Sequence, residues 1–358
     1  MKKIIFFHLY NDISGSPQVL SMVIRGLLAK GYAVELFTSN TEGFLSGIEG
    51  VKYHQFSYKW TSNRFLTLIR LVYAQLYMFI ASFQFKKNDV IFYVNTICPF
   101  APALAGRILR FPVIYHVHEA YVNPNLLHKF YVYMWQKLSS YTFFVSKYVQ
   151  KQYIRYSKQS AIIYNALPAA FLSQINLNNK SRGRIGNILM ISSLKEYKGV
   201  NQFVLLAERL PQYKFRLIVN SQQQDINSFF YTIPDNLVIL PAHRNIHPFL
   251  IEADLLLNLS IPNLWVETFG LTILEAMAYG IPVICPPVGG PLELVDDGIS
   301  GFQIDSRNIG ELSEKIRYIF ESGMYAQFSE NARIKSFKFS EEEMIKQIDE
   351  QLKRIDRI

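Results

Sequence analysis

Short runs of β-branched and aromatic residues alternate with helical stretches along nearly the whole chain, and the alternation runs through twice. Such alternation is the mark of βα units, whose strands lie parallel in one sheet and whose helices cover its faces. In the first half the strand candidates are residues 3–8, 33–38, 89–95, 113–118, 141–145 and 162–165. Helical stretches separate them, such as 16–30, which meets Gly31, a residue suited to closing a helix. The polar, apolar-poor stretch 173–183 interrupts the pattern and reads as a linker. The pattern restarts with strand candidates at 187–192, 214–219, 237–240, 254–259 and 282–285. The run Ser340-Glu341-Glu342-Glu343 predicts an N-capped helix to the C-terminus, since carboxylates favour the positive end of a helix. The expectation is two similar α/β domains, 1–170 and 185–339, joined by a linker at 171–184, with a cleft between them and a terminal helix at 340–358.

A length of 358 residues supports two domains with sizeable cores. Half the residues are hydrophobic and 18% are charged, which excludes wholesale disorder. Cys98 and Cys285 lie far apart in apolar runs, which excludes a disulfide scaffold or a cysteine zinc site and predicts a reducing cytoplasm. The net charge of +9 is unevenly spread: 18 basic and 6 acidic residues lie in the first 165 positions, 19 and 22 in the rest. A half at +12 beside a half at −3 points to an anionic partner for the first domain.

The start, Met1 to His8, has a charged tip and an apolar run, but Asn11-Asp12 closes it without a small-residue cleavage site. It reads as a buried first strand. Residues 65–85 carry one charge, Arg70, over a length that can cross a bilayer. Thr67, Arg70, Gln75, Ser82 and Gln84 interrupt them, which favours a soluble helix with one face in the core and another near a membrane.

Several common chemistries are missing. The chain has no Gly-Lys pair for a P-loop and no Gly-x-Gly dinucleotide fingerprint. His-Glu-x-x-His and Gly-x-Ser-x-Gly are also absent. No Asp-x-Asp offers the usual carboxylate pair for a metal–diphosphate substrate, so no metal is expected. Nucleic-acid-binding signatures are lacking, so no nucleic-acid partner is expected.

One segment carries most of the chemistry, running from Val266 to Cys285. Leu271 to Tyr279 has helical periodicity, Gly280 closes that helix and Pro282 opens the next strand. Phe269-Gly270 then forms the turn into the helix, where backbone N–H groups and the helix dipole suit a phosphate. Glu267 precedes the helix and Glu275 lies inside it, flanked by apolar residues, where a carboxylate suits the two hydroxyls of a ribose.

Glu267 and Glu275 have the Glu-x7-Glu spacing of retaining glycosyltransferases of family 4 (glycosyl transferases group 1), which the sequence resembles. The resemblance continues through Val288-Gly289-Gly290-Pro291 and Asp297-Gly298-Ile299-Ser300-Gly301, covering the second half well and the first loosely. It implies the α/β GT-B fold: two Rossmann-like domains facing across a cleft, with room for the C-terminal helix to cross back to the first. It also implies that Glu267 contacts donor-sugar hydroxyls, that the Phe269, Gly270 and Leu271 turn holds the diphosphate and that Glu275 binds ribose. In Ser192-Ser193-Leu194-Lys195-Glu196-Tyr197-Lys198-Gly199, Lys198 matches the family's diphosphate lysine, while Ser193 stands where the family has arginine. A cation there stabilises the charge that grows on a diphosphate leaving group.

In the first domain, Asn11 to Ser16 occupies the place of the family's glycine-rich loop, which the resemblance sets beside the donor phosphates and the acceptor; Gly15 alone of its glycines survives, as a donor-binding candidate. His116-Val117-His118-Glu119 ends a strand, and the resemblance makes His118 the better candidate for touching the donor sugar. Family acceptors bind mainly to the first domain. Here that domain mixes aromatic and basic residues at 58–65 and 128–156, which suits an anionic membrane surface.

The expected function is transfer of a sugar from a nucleotide diphosphate sugar to a glycan or lipid-diphosphate-linked acceptor, with retention, in cell-surface polysaccharide synthesis. No cofactor is expected, and the expected location is the cytoplasm, peripheral at the membrane face. Two alternatives stay open: a nucleotide-sugar epimerase of the same fold, and an inactive nucleotide-sugar-binding partner subunit, which the serine at 193 favours.

Overall fold

The structure is a computed structural model that describes residues 2–59, 61, 63–86, 90–153, 159–175, 186–243 and 245–355. Trp60, Ser62, Asp89, Arg155, Tyr156 and most of the linker stretch lie outside the described residues. The chain divides into two compact units, Met1–Ala166 with Glu341–Ile358, and Leu167–Ser340.

The first unit is built on a parallel sheet of seven strands: β1 (Lys3–Phe7), β2 (Ala33–Ser39), β3 (Val51–Phe56), β4 (Val90–Asn95), β5 (Val113–Val117), β6 (Tyr141–Phe144) and β7 (Ser160–Ile162). Their spatial order is β3-β2-β1-β4-β5-β6-β7. The central strands β1, β4 and β5 are buried almost throughout, which is why they read as continuous apolar runs. The first strand pairs with both β2 and β4, so the apolar N-terminal run is a core strand. At the sheet edge, β3 was not anticipated. Its sequence, Val-Lys-Tyr-His-Gln-Phe, is mixed because an edge strand need not be apolar. The last strand ends at Ile162, so the expected strand at 162–165 is shifted toward the N-terminus and Asn165 lies after it.

The helices α1 (Gly15–Ala29), α2 (Arg64–Ser82), α3 (Phe100–Leu109), α4 (Asn125–Leu138) and α5 (Lys147–Tyr153) cover this sheet. Asn63 caps α2, its side-chain oxygen accepting from the amides of Phe65 and Leu66. Ala74, Met78, Ala103, Tyr131, Trp135, Val149 and Tyr153 join one apolar cluster, so α2 to α5 pack on the same side of the sheet. The helix Glu341–Ile355 lies against α1, and its acidic first turn is as expected. Asp349 accepts a hydrogen bond from the Tyr32 hydroxyl at 2.8 Å and pairs with Lys30 at 3.4 Å. Gly26 makes this packing possible, because a Cβ there would sit 2.5 Å from Ile345. The terminal helix thus returns to the first unit.

The second unit repeats the plan with six parallel strands: β8 (Asn187–Ser192), β9 (Lys214–Val219), β10 (Leu237–Pro241), β11 (Leu255–Leu257), β12 (Val283–Cys285) and β13 (Gly301–Gln303). Their order is β10-β9-β8-β11-β12-β13. The short edge strand β13 also escaped the sequence pattern. It begins at a glycine because a Cβ at Gly301 would lie 1.8 Å from the Val283 carbonyl oxygen.

Candidate active site

In the second unit the chain leaves β8 through Ser193 and Lys195 into a short 3-10 turn, Glu196–Lys198, closed by Gly199 at φ 79°. Gly199 is required on two counts: its left-handed backbone, and the Leu259 carbonyl, which a Cβ would meet at 2.0 Å. That close approach docks the turn on the segment after β11, where the Ile261 amide donates to the Tyr197 carbonyl at 2.9 Å. The Tyr197 ring stacks on Trp265 with centroids 5.3 Å apart. The Lys198 ammonium lies 4.5 Å over the Trp265 ring and forms an ion pair with the Glu267 carboxylate. The Ser260 hydroxyl donates to the same carboxylate oxygen at 3.4 Å. A lysine and a glutamate 69 residues apart are thus held together, partly screened from solvent, with an aromatic face beneath the cation.

The backbone that carries Glu267 is clamped by Gly289-Gly290. The Gly290 amide donates to the Glu267 carbonyl at 2.8 Å. A Cβ at Gly289 would lie 2.4 Å from that carbonyl oxygen, and one at Gly290 would lie 2.3 Å from the Thr268 carbonyl oxygen. Gly290→Ala is expected to destabilise the unit by about 1–3 kcal/mol, since the clash is with backbone that cannot rotate away. Chemical denaturation measures it, and an unchanged midpoint would refute the clamp.

Phe269 is buried with its ring 5.7 Å from Phe339. Gly270, at φ 103°, opens the helix Leu271–Ala278, and Gly280 at φ 66° follows it. The Ile273 and Leu274 amides donate to the Gly270 carbonyl, so the Leu271 and Thr272 amides precede the helical ladder. No acidic residue lies in the first turn to offset its positive end, which suits an anion. Glu275 lies in the second turn, 8% exposed. Burial pushes its carboxyl up to about 8. No described side chain or amide donates to it, so a ligand's hydroxyls are its natural partners.

In the first unit the chemistry gathers at the C-terminal ends of β1, β4 and β5. The connections leave β1 in one direction and β4 in the other, so ligands are expected at this edge. His118 Nε2 donates to the Asn95 side-chain oxygen at 3.0 Å, and the Asn95 amide donates to His8 Nδ1 at 3.1 Å. His116 is inside the core, hydrogen-bonded to the Tyr93 hydroxyl at 2.8 Å, whereas His118 lies just beyond the strand and is 9% exposed. Burial pushes His8 down to about 4 and His116 down to about 3, and drives His118 well below the usual imidazole range. All three are neutral hydrogen-bonding groups at neutral pH. Glu119 accepts from the Ile97 and His118 amides, and burial pushes its carboxyl up to about 7. Asn95 and His8 carry no sequence signal of their own, because single polar residues at strand ends form no pattern.

Gly15 opens α1, and the loop before it is tied down by Asn11, whose buried amide donates to the Thr41 carbonyl at 2.7 Å. Ser193 offers a hydroxyl and no charge, and Lys195 beside it is exposed. The structure therefore joins Lys198 to Glu267 and sets Phe269, Gly270, Leu271 and Glu275 on the same motif. His118 and Gly15 belong to the other unit.

The aromatic residues marked out as membrane-facing need correction. Tyr58, Tyr131, Trp135 and Tyr153 are buried in the core of the first unit, and the Trp135 indole donates to Thr142 at 3.0 Å.

Two parallel α/β sheets, of seven and six strands, match the GT-B fold. Residues 13–171 match the family model Glycosyltransferase Family 4, and residues 179–335 match Glycosyl transferases group 1. The chain belongs to this glycosyltransferase family. Its fold is similar to Anabaena HepE, solved with UDP and glucose, at a TM-score of 0.76 and 22% identity over 99% of this chain and 100% of that one. WaaG, a glycosyltransferase involved in lipopolysaccharide biosynthesis, matches at 0.72 and 14% identity over 93% and 95% of the two chains. In sequence, sucrose synthase of Melioribacter roseus is 51% identical over 57 residues, covering 16% of this chain and 7% of that protein. An Arabidopsis thaliana sucrose synthase is 51% identical over 59 residues, again 16% of this chain and 7% of its own length.

Proposed function

We propose that the protein transfers a sugar from a uridine diphosphate sugar, with retention, to a glycan or lipid-diphosphate-linked acceptor in cell-surface polysaccharide synthesis. The observation that carries this reading is the Lys198–Glu267 pair beside the open N-terminus of the helix Leu271–Ala278. The uridine base is suggested by the UDP and UDP-glucose in the HepE structures. In this reading Lys198 and the amides of Phe269, Gly270 and Leu271 receive the diphosphate, Glu267 binds sugar hydroxyls and Glu275 binds the ribose. The bond from the anomeric carbon to the diphosphate oxygen breaks, its electrons pass to the diphosphate, and Lys198 stabilises the charge that results. The acceptor oxygen then bonds to that carbon, and its proton passes to the departing diphosphate.

His118 serves as a neutral hydrogen-bonding group for the substrate, oriented by Asn95 and His8. Donor binding belongs mainly to the second unit and acceptor binding to the first, with Gly15, the first residue of α1, as a further donor-binding residue. A cytoplasmic location agrees with the free thiols of Cys98 and Cys285.

Incubation with UDP-glucose and a lipid extract, followed by NMR of the product, tests the reading. UDP release with an α-linked product is expected, and a β-linked product would overturn retention. Ser193 favours one other reading, an inactive donor-binding subunit, which predicts a thermal shift with UDP-glucose and no turnover with any acceptor. Transfer is also expected to persist in excess EDTA, because lysine and helix amides neutralise the diphosphate in this reading. Complete loss of activity, restored by a divalent cation, would overturn that expectation.

A further inference from the structure

We propose that the outer face of α2, together with that of α4, is a docking surface for an anionic phospholipid bilayer, with α2 lying in the plane of the interface. On α2 the exposed residues include Phe65, Leu68, Ile69, Val72, Leu76 and Ile80, which recur at helical spacing along one stripe. Phe65 is 72% and Ile80 69% exposed, and the stripe carries no charge. A soluble surface rarely leaves so continuous an apolar patch open to water. The next helix but one, packed on the same α3, presents Leu126, 80% exposed, with Phe130 and Tyr133, interleaved with Lys129 and Lys137. Both helices pack on α3, so their outer faces belong to one helical layer.

Charge identifies the partner. From Tyr58 to Ser140 the chain has nine Lys and Arg residues and two acidic ones, of which Glu119 is turned into the core. Lys59 and Arg64 are exposed at the start of α2 and Lys86 just past its end. Cations around an apolar stripe match phosphate headgroups above acyl chains. A second copy of the chain meeting this face would bring like charges together.

The geometry also decides between lying on the membrane and crossing it. Ala74, Gln75, Met78 and Ser82 form the buried side of α2. Gln75 stitches it to the start of α3, donating to the Cys98 carbonyl at 3.0 Å and accepting from the Ala101 amide at 3.1 Å. Crossing a bilayer would break both bonds and strip one face from the core.

Flotation with vesicles tests the surface without reference to the reaction. The wild-type protein is expected to float with phosphatidylcholine vesicles containing about one third phosphatidylglycerol and to stay behind with phosphatidylcholine alone. The double variant Ile69→Glu/Leu76→Glu is expected to lose at least about tenfold in partitioning, with its melting temperature and its thermal shift with UDP unchanged. Leu126→Glu, on the other helix, should weaken partitioning in the same direction. The proposal fails if the wild-type protein ignores anionic vesicles or if the double variant floats as well as wild type. It also fails if the face instead joins two copies, seen as a lipid-free dimer that the double variant splits. UDP binding reports on the donor site separately, so failure of either reading is distinguishable from failure of the other.

Discussion

Lys198→Ala is expected to lower the rate of sugar transfer about a hundredfold or more, while the protein keeps its fold. The ammonium is held from two sides, by the Trp265 ring and the Glu267 carboxylate, so it is in place before substrate arrives. Preorganised charge of this kind stabilises a leaving group without reorganisation during the reaction. With serine at 193, little nearby can replace it, since Lys195 is an exposed side chain on the outside of the turn. Structural damage should be slight, because Gly199, which docks that turn, is unchanged. Glu267→Ala is expected to cost more than tenfold by removing both the proposed sugar contact and the partner that aims the lysine. Because the two side chains touch, the double variant should fall short of the product of the single effects. Steady-state rates at saturating donor, with melting curves as the control, measure all three. A wild-type rate in both single variants would remove this pair from the reaction.

Glu275→Gln is expected to act in opposite directions on stability and on binding. The buried carboxyl holds its proton up to a pH of about 8, against a usual 4.5, because burial penalises the charge. The folded protein therefore binds more protons than the unfolded chain between those values. Stability attributable to this group falls as pH rises from about 4.5 to about 8 and levels off above. Glutamine removes that penalty, so the variant should be more stable than wild type at pH 9, by on the order of a few kcal/mol, and nearly equal to it at pH 4. Nucleotide affinity should fall about tenfold or more, because an amide has one neutral accepting oxygen where a carboxylate offers two charged ones to the ribose hydroxyls. In the wild-type protein, binding that needs the ionised carboxylate releases a proton near neutral pH. Titration calorimetry in buffers of different ionisation enthalpy measures that release. Equal affinity in the variant, or no stability gain at high pH, would show that Glu275 does not meet the nucleotide as an ionised group.

The difference between strands that could be read and those that could not is one of exposure. A strand buried on both faces must be apolar along its length, so β1, β4, β8 and β9 announce themselves. Edge strands such as β3 and β13 need no such run, and their residues resemble loops. Aromatic residues mislead for a related reason. Trp135 and Phe130 are five residues apart on one helix, yet the first is fully buried and the second is exposed, because they lie on different faces. A mixture of aromatic and basic residues gives composition but not direction. The helix α2 was more legible, since the length and the single charge of its apolar run could be counted.

The sequence alone determined the repeated βα plan, the Glu-x7-Glu helix, the lysine turn and the family, because each is a local pattern within one or two elements. Tertiary structure decided what those residues experience. It brought Lys198 onto Glu267 and Trp265 and clamped the motif with Gly289-Gly290. It also raised the Glu275 carboxyl, kept three histidines neutral and turned one side of α2 to solvent. Burial and cross-chain contact set charge state and exposure, and both depend on neighbours far away in the chain, which local spacing does not encode.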